Sequence, residues 1–146
     1  MRRVLVAVLV LSGLIVTGRP SADAAPIPFQ VIVHHQVKGA HISRSALSSI
    51  FLKQAPRWSD GSAIKPVDQS VRSTVRKSFS GDVLAQGIVE VQIYWQRRMS
   101  LGTTPPPVKT SDEEVVSFVA STPGAIGYVS SSAPLPESVK AVQLTD

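Results

Sequence analysis

No cysteine occurs among the 146 residues. A disulfide-stapled fold is therefore excluded, as is a lipid anchor carried on a cysteine, and any metal site must do without thiolates. Catalytic signatures are missing too. There is no Ser-His-Asp order, no H-E-x-x-H and no phosphate-cradling glycine loop of the P-loop type. An enzyme reading has no residues to stand on, and the sequence calls for no cofactor. Internal repeats are absent. A strong charge of one sign is also lacking once the first residues are set aside, as shown next.

"MRR" is a basic start, "VLVAVLVLSGLIV" an apolar run and "SADAAPIPF" a stretch of small residues. Ala22 and Ala24 occupy the −3 and −1 positions of an A-x-A cleavage signal. Val4–Val16 is shorter than the roughly 20 apolar residues a spanning helix needs. The sequence thus predicts a secretory signal peptide over 1–24, cleaved rather than kept as an anchor, and a single domain over 25–146, periplasmic or secreted. The full chain has 15 basic and 10 acidic residues, a formal charge of +5. Cleavage removes Arg2, Arg3 and Arg19 with Asp23, leaving twelve basic residues against nine acidic. That small excess gives no footprint for nucleic acid.

The body alternates strands and helices. "FQVIVHH" (29–35) is an apolar, β-branched strand, and "QVKGAHIS" a loop. "SRSALSSIFLK" (43–53) is a short amphipathic helix with Ser43 as N-cap and Leu47, Ile50 and Phe51 on its apolar face. Asp60-Gly61 marks a turn. "AIKPVDQ" (63–69) reads as a strand, which Pro66 pushes toward a sheet edge. A helix capped by Ser73 or Thr74 runs through Phe79 and ends at Gly81. "DVLAQGIVEVQIYWQRRMSLG" (82–102) is read as one long helix rather than a strand, with Ile88, Val91 and Trp95 on one face. "TTPPPVKT" is a loop. "SDEEVVSFVAS" (111–121) opens on the capping box Ser111–Glu114, with acidic residues at the positive end of the helix dipole. "AIGYVS" (125–130) is a buried strand entered through Pro123-Gly124, and "VKAVQL" (139–144) a last strand. The fold class is α/β: one layer pair in which helices cover a small mixed sheet.

"LSSIFLKQAPRWSDGSAIKPVDQ", "STVRKSF", "YWQRRM" and "EEVVSFVASTPGAIGYVS", in this order and spacing, resemble the phosphate-type substrate-binding proteins of ABC transporters, and more closely their single-lobe relatives. The resemblance runs from about Phe29 to Val142. It implies one lobe of a type II periplasmic-binding-protein fold. In the full-length relatives two lobes close on an anion, and hydroxyls and backbone N–H groups at helix starts hold it. One such start carries a G-S-G-T-like loop. Val71, Arg72, Ser73 and Thr74 match it here, without its glycines. The implied ligand is phosphate or a similar oxyanion, and the implied partners are an ABC transporter or another envelope protein. A homodimer is the way one lobe could rebuild a cleft.

"VRSTVRKSF" is the candidate anion site. A helix N-terminus presents free N–H groups and positive dipole. Ser73 and Thr74 add hydroxyls, and Arg72 and Arg76 add guanidinium groups suited to bidentate oxyanion binding. The plainer alternative makes Ser73 an N-cap and leaves the arginines in solvent. His34, His35 and His41 carry no metal expectation, because neighbours on a strand point to opposite faces. They read as surface histidines at a strand end. Trp95 reads as core, Arg97-Arg98 as a solvated helix end, and Asp112–Glu114 as a cap rather than catalytic carboxylates. In "TPGAIGYVS", Gly127 reads as a place where another element approaches the strand closely. If the lobe holds no ligand, the alternative function is an interaction module at the envelope.

Overall fold

The computed structural model describes residues 28–146. The predicted leader and its cleavage site, residues 1–24, lie outside them. Among the described residues no helix is long and apolar enough to cross a membrane.

The described residues form seven strands and four α-helices in the order β1 (Phe29–His34), β2 (His41–Ser43), α1 (Arg44–Phe51), β3 (Lys65–Pro66), β4 (Asp68–Gln69), α2 (Thr74–Phe79), α3 (Ile88–Ser100), β5 (Val108–Lys109), α4 (Asp112–Ser121), β6 (Ala125–Ser130) and β7 (Val139–Thr145). The main sheet is mixed and five-stranded, ordered β2-β7-β1-β6-β3, with β4 and β5 forming a separate parallel pair. β1 runs antiparallel to β6 and β7, whereas β2 joins β7 and β3 joins β6 in parallel. The register sets Ile32 opposite Gly127 and Val31 opposite Tyr128.

Alternation along β1 and β6 creates two cores. Phe29, Val31, Val33, Ile126 and Tyr128 face α1, α2 and α3. Ile32, Ala125 and Val129 face α4, where they meet Val115 and Val119. Helices therefore cover both faces, one layer more than the sequence predicts. β1 and β6 are apolar on both sides, and a two-layer arrangement would leave one of those sides wet. The expected mixed α/β sheet with flanking helices is otherwise what is found.

Three serine caps form. The hydroxyls of Ser43, Ser73 and Ser111 accept from the N–H groups of Ala46, Arg76 and Glu114. Elsewhere the expected boundaries shift. The stretch read as a loop contains β2. The strand expected over 63–69 divides between two sheets at Val67, whose N–H still bonds Ile126 O at 2.9 Å, while Asp68 N–H turns to Pro107 O. Pro66 does sit on an edge strand, where no partner needs its missing N–H. Gly81 does not end its helix. A π-turn, Ser80–Leu84, continues α2 and stops at Ala85 in the left-handed region (φ 51°). The long helix expected over 82–102 thus begins only at Ile88. Its buried residues are Val91 and Trp95, with Ile88 half-buried.

Gly127 has a steric cause. A Cβ there would lie 2.8 Å from Val115 Cγ1 and 2.9 Å from Val67 Cγ1. Helix α4 can cross β6 so closely only over hydrogen. The "TPGAIGYVS" segment is structural: Gly124 turns at φ 81° and its carbonyl accepts from Trp58 Nε1 at 3.0 Å.

Candidate functional site

α2 starts where β4 ends, so Asp68, Gln69 and the loop Ser70–Ser73 form one corner. Gln69 is the corner's joint. Its side-chain amide donates to Tyr128 O at 2.9 Å and to Asp112 Oδ1 at 3.0 Å, and its Oε1 accepts from Ser73 Oγ at 2.8 Å. Both amide protons and the side-chain oxygen of a residue only 3 % exposed are thereby engaged.

Ser73 Oγ has given its one proton to Gln69 and accepts from Arg76 N–H at 3.2 Å. It anchors the helix start and has no proton left for a ligand. Arg76 is 3 % exposed. Its Nε lies 3.0 Å from Asp68 Oδ1, an ion pair by distance but off the line of a hydrogen bond, and Nη1 donates to Ser80 Oγ at 2.7 Å. Tyr128 OH donates to the same Asp68 oxygen. Burial pushes the Asp68 carboxyl upward, a shift that Arg76 opposes without cancelling. Burial and the neighbouring Asp68 charge push the Tyr128 phenol upward. Tyr128 therefore stays protonated and donates.

The four candidate anion-binding residues thus divide. Ser73 and Arg76 are inside the network. Arg72 and Thr74 are exposed, and among the described residues their side chains make no hydrogen bond or ion pair. The backbone N–H groups of Thr74 and Val75, in the first turn of α2, also have no partner there. Beside the corner lies a cavity of about 540 Å³, reached by Asp68, Gln69 and Arg76 and walled by Trp95 and Gln92 of α3 and by Pro106.

Sequence reasoning missed Asp68, Gln69, Tyr128 and Asp112 as members of this corner. Asp112 does more than favour the helix dipole: it also accepts from Ser130 N–H and Ser130 Oγ. The legible signal was the tyrosine within the otherwise apolar run Ala125–Val129, since a buried phenol needs a polar partner. One of the three histidines differs from expectation as well, while His35 and His41 are exposed. His34 is 5 % exposed, not a surface residue, and its ring lies 4.3 Å from that of His35. Their Nδ1 atoms are engaged with Gln36 N–H and Ser138 O. Among the described residues no three metal-ligating side chains come together.

No curated protein matches the chain. Solved structures do. A protein described as a phosphate ABC transporter substrate-binding protein with bound phosphate, from Clostridium perfringens, is 19 % identical with a TM-score of 0.64, over 80 % of this chain and 44 % of its own. An ABC-type phosphate transport receptor from Vibrio cholerae is 18 % identical with a TM-score of 0.62, over 80 % and 46 %. PstS from Borrelia burgdorferi is 14 % identical with a TM-score of 0.63, over 82 % and 47 %. The chain spans less than half the length of each. At these identities the likeness establishes fold, that of one part of a substrate-binding protein. A family model described as the PBP superfamily domain matches residues 26–144. The chain belongs to that family.

Proposed function

We propose that the protein is an exported binding lobe for phosphate or a similar oxyanion, serving uptake or sensing with an ABC transporter or another envelope protein as its partner. The anion sits at the start of α2. Its donors are the N–H groups of Thr74 and Val75, the Thr74 hydroxyl and the Arg72 guanidinium. Ser73 holds the turn, and Arg76 contributes positive potential from behind while paired to Asp68. The single observation that carries this reading is that these donors belong to one helix start, Arg72–Val75, and have no partner among the described residues. Calorimetric titration of residues 25–146 with phosphate, and then sulfate, tests it. A saturable one-site heat that falls in Arg72→Ala with Thr74→Ala supports the reading.

Two observations favour a second reading. Ser73 and Arg76, the groups a closed anion site would use, are consumed internally, and α3 exposes Val89 and Ile93 one turn apart. On this reading the lobe holds no small ligand and acts as an envelope interaction module. A cooperatively folded sample that gives no heat with either anion at millimolar concentration favours it.

A further inference from the structure

A second cavity, about 580 Å³, shares no residue with the corner at α2. It lies over the opposite part of the same sheet face, between α1, β2 and the loop that precedes Ile64. Its floor is apolar: Val33 of β1, Val142 of β7, Ile50 of α1, and Ile64. Trp58 stands in its wall, with its indole N–H fixed on Gly124 O. Three basic side chains reach it, Lys38, His41 and Arg57, and no carboxylate does. All three are exposed, and Arg57 is the only one with a hydrogen bond among the described residues, from Nη1 to Gly61 O at 2.9 Å. Asp60 feels the Lys38 charge from outside the wall and is itself bonded to Ser62.

Size and lining are those of a small-molecule site: a concave apolar interior with a few polar groups at the edge. The charged side chains here, Lys38 and Arg57, share one sign. An inorganic anion would leave the apolar floor uncovered, and a neutral apolar molecule would leave the three cationic or basic groups without a counterpart. The ligand that satisfies both is an amphipathic organic anion. We propose that this cavity binds an acyl-chain carboxylate, with the chain on the Val33–Ile50–Ile64–Val142 floor and the carboxylate between Lys38 and Arg57. Lysine also suits such a rim because its stem lies along apolar surface while its ammonium stays at the edge.

The probe is decanoate, titrated into the ¹⁵N-labelled protein below its micellar concentration, with decanol and inorganic phosphate as comparisons. Two indole N–H signals separate the cavities, Trp58 here and Trp95 beside the α2 corner. Decanoate should shift Trp58 saturably and leave Trp95 in place. Decanol should bind more weakly. Lys38→Gln with Arg57→Gln, both at exposed positions, should weaken decanoate about tenfold, as expected for two rim charges. Ala46→Trp, on the exposed side of α1 at the cavity wall, should block it with the fold intact. No Trp58 shift, a shift at Trp95 instead, or equal decanoate affinity in the double variant each overturns the proposal. Phosphate reads the α2 start, so the two sites fail independently.

Discussion

Gly127→Ala measures how tightly α4 is pressed against the central strand. Carbon atoms in contact normally sit about 3.5–4.0 Å apart. The added methyl would lie 2.8 Å from Val115 and 2.9 Å from Val67. Each must retreat by about 0.6 Å or more to reach ordinary contact, yet both valines are fully buried and the strand is held by β1 on one side and β3 on the other. Overpacking of this kind costs about 1–3 kcal/mol. Alanine recovers about 0.4–1 kcal/mol by restricting the unfolded chain. The net expectation is a loss of about 1–2 kcal/mol, read as a lower urea midpoint at unchanged slope. Val115→Ala removes one of the two obstacles, so the double variant should be less destabilised than the sum of the single variants by about 1 kcal/mol. A Gly127→Ala protein as stable as the wild type, or strict additivity with Val115→Ala, refutes the close approach as the reason for glycine.

Asp68→Ala should cost about 3–5 kcal/mol in urea unfolding, because it leaves the buried Arg76 charge without its partner. Replacing both, Asp68→Leu with Arg76→Met, should cost less than that single change. Ser111→Ala removes the cap on Glu114 N–H and should lose about 1 kcal/mol by the same assay. His34 gives a pH dependence. Burial first, and His35 second, lower its pKa from 6.5 in the folded state. The unfolded chain therefore binds more protons just below that value, so stability is full above pH 6.5 and declines as pH falls through and below it. Urea midpoints at pH 7, 6 and 5 should show this decline in the wild type and a shallower one in His34→Gln.

Much of the fold was legible because its signals are local. Ser43, Ser73 and Ser111 each cap the N–H three residues on, a relation that sequence spacing states directly. Gly127 announced a close approach by lacking a side chain in an otherwise apolar strand. The signals that failed are non-local or atypical. Ala85 takes a left-handed turn that glycine usually marks, so the break between α2 and α3 was hidden while Gly81 nearby misled. β2 is three residues long and exists only because β7 lies beside it.

The candidate site divides in the same way. Its position at the start of α2 follows from the Ser-Thr pair and from the family resemblance. Arg76 was read as an outward charge because its partner Asp68 lies one strand-to-helix turn earlier, and only the fold brings them within 3.0 Å. Gln69 joins Ser73, Asp112 and Tyr128 across separations of up to 59 residues, which no local pattern encodes.

The central claim is that the first turn of α2 holds an oxyanion. Phosphate titration of the folded protein by calorimetry, wild type against Arg72→Ala with Thr74→Ala, tests it most directly. The account predicts one-site saturable binding that the double variant loses while its unfolding midpoint stays unchanged, since both residues are exposed. Heat that is absent in the wild type, or undiminished in the variant, contradicts it.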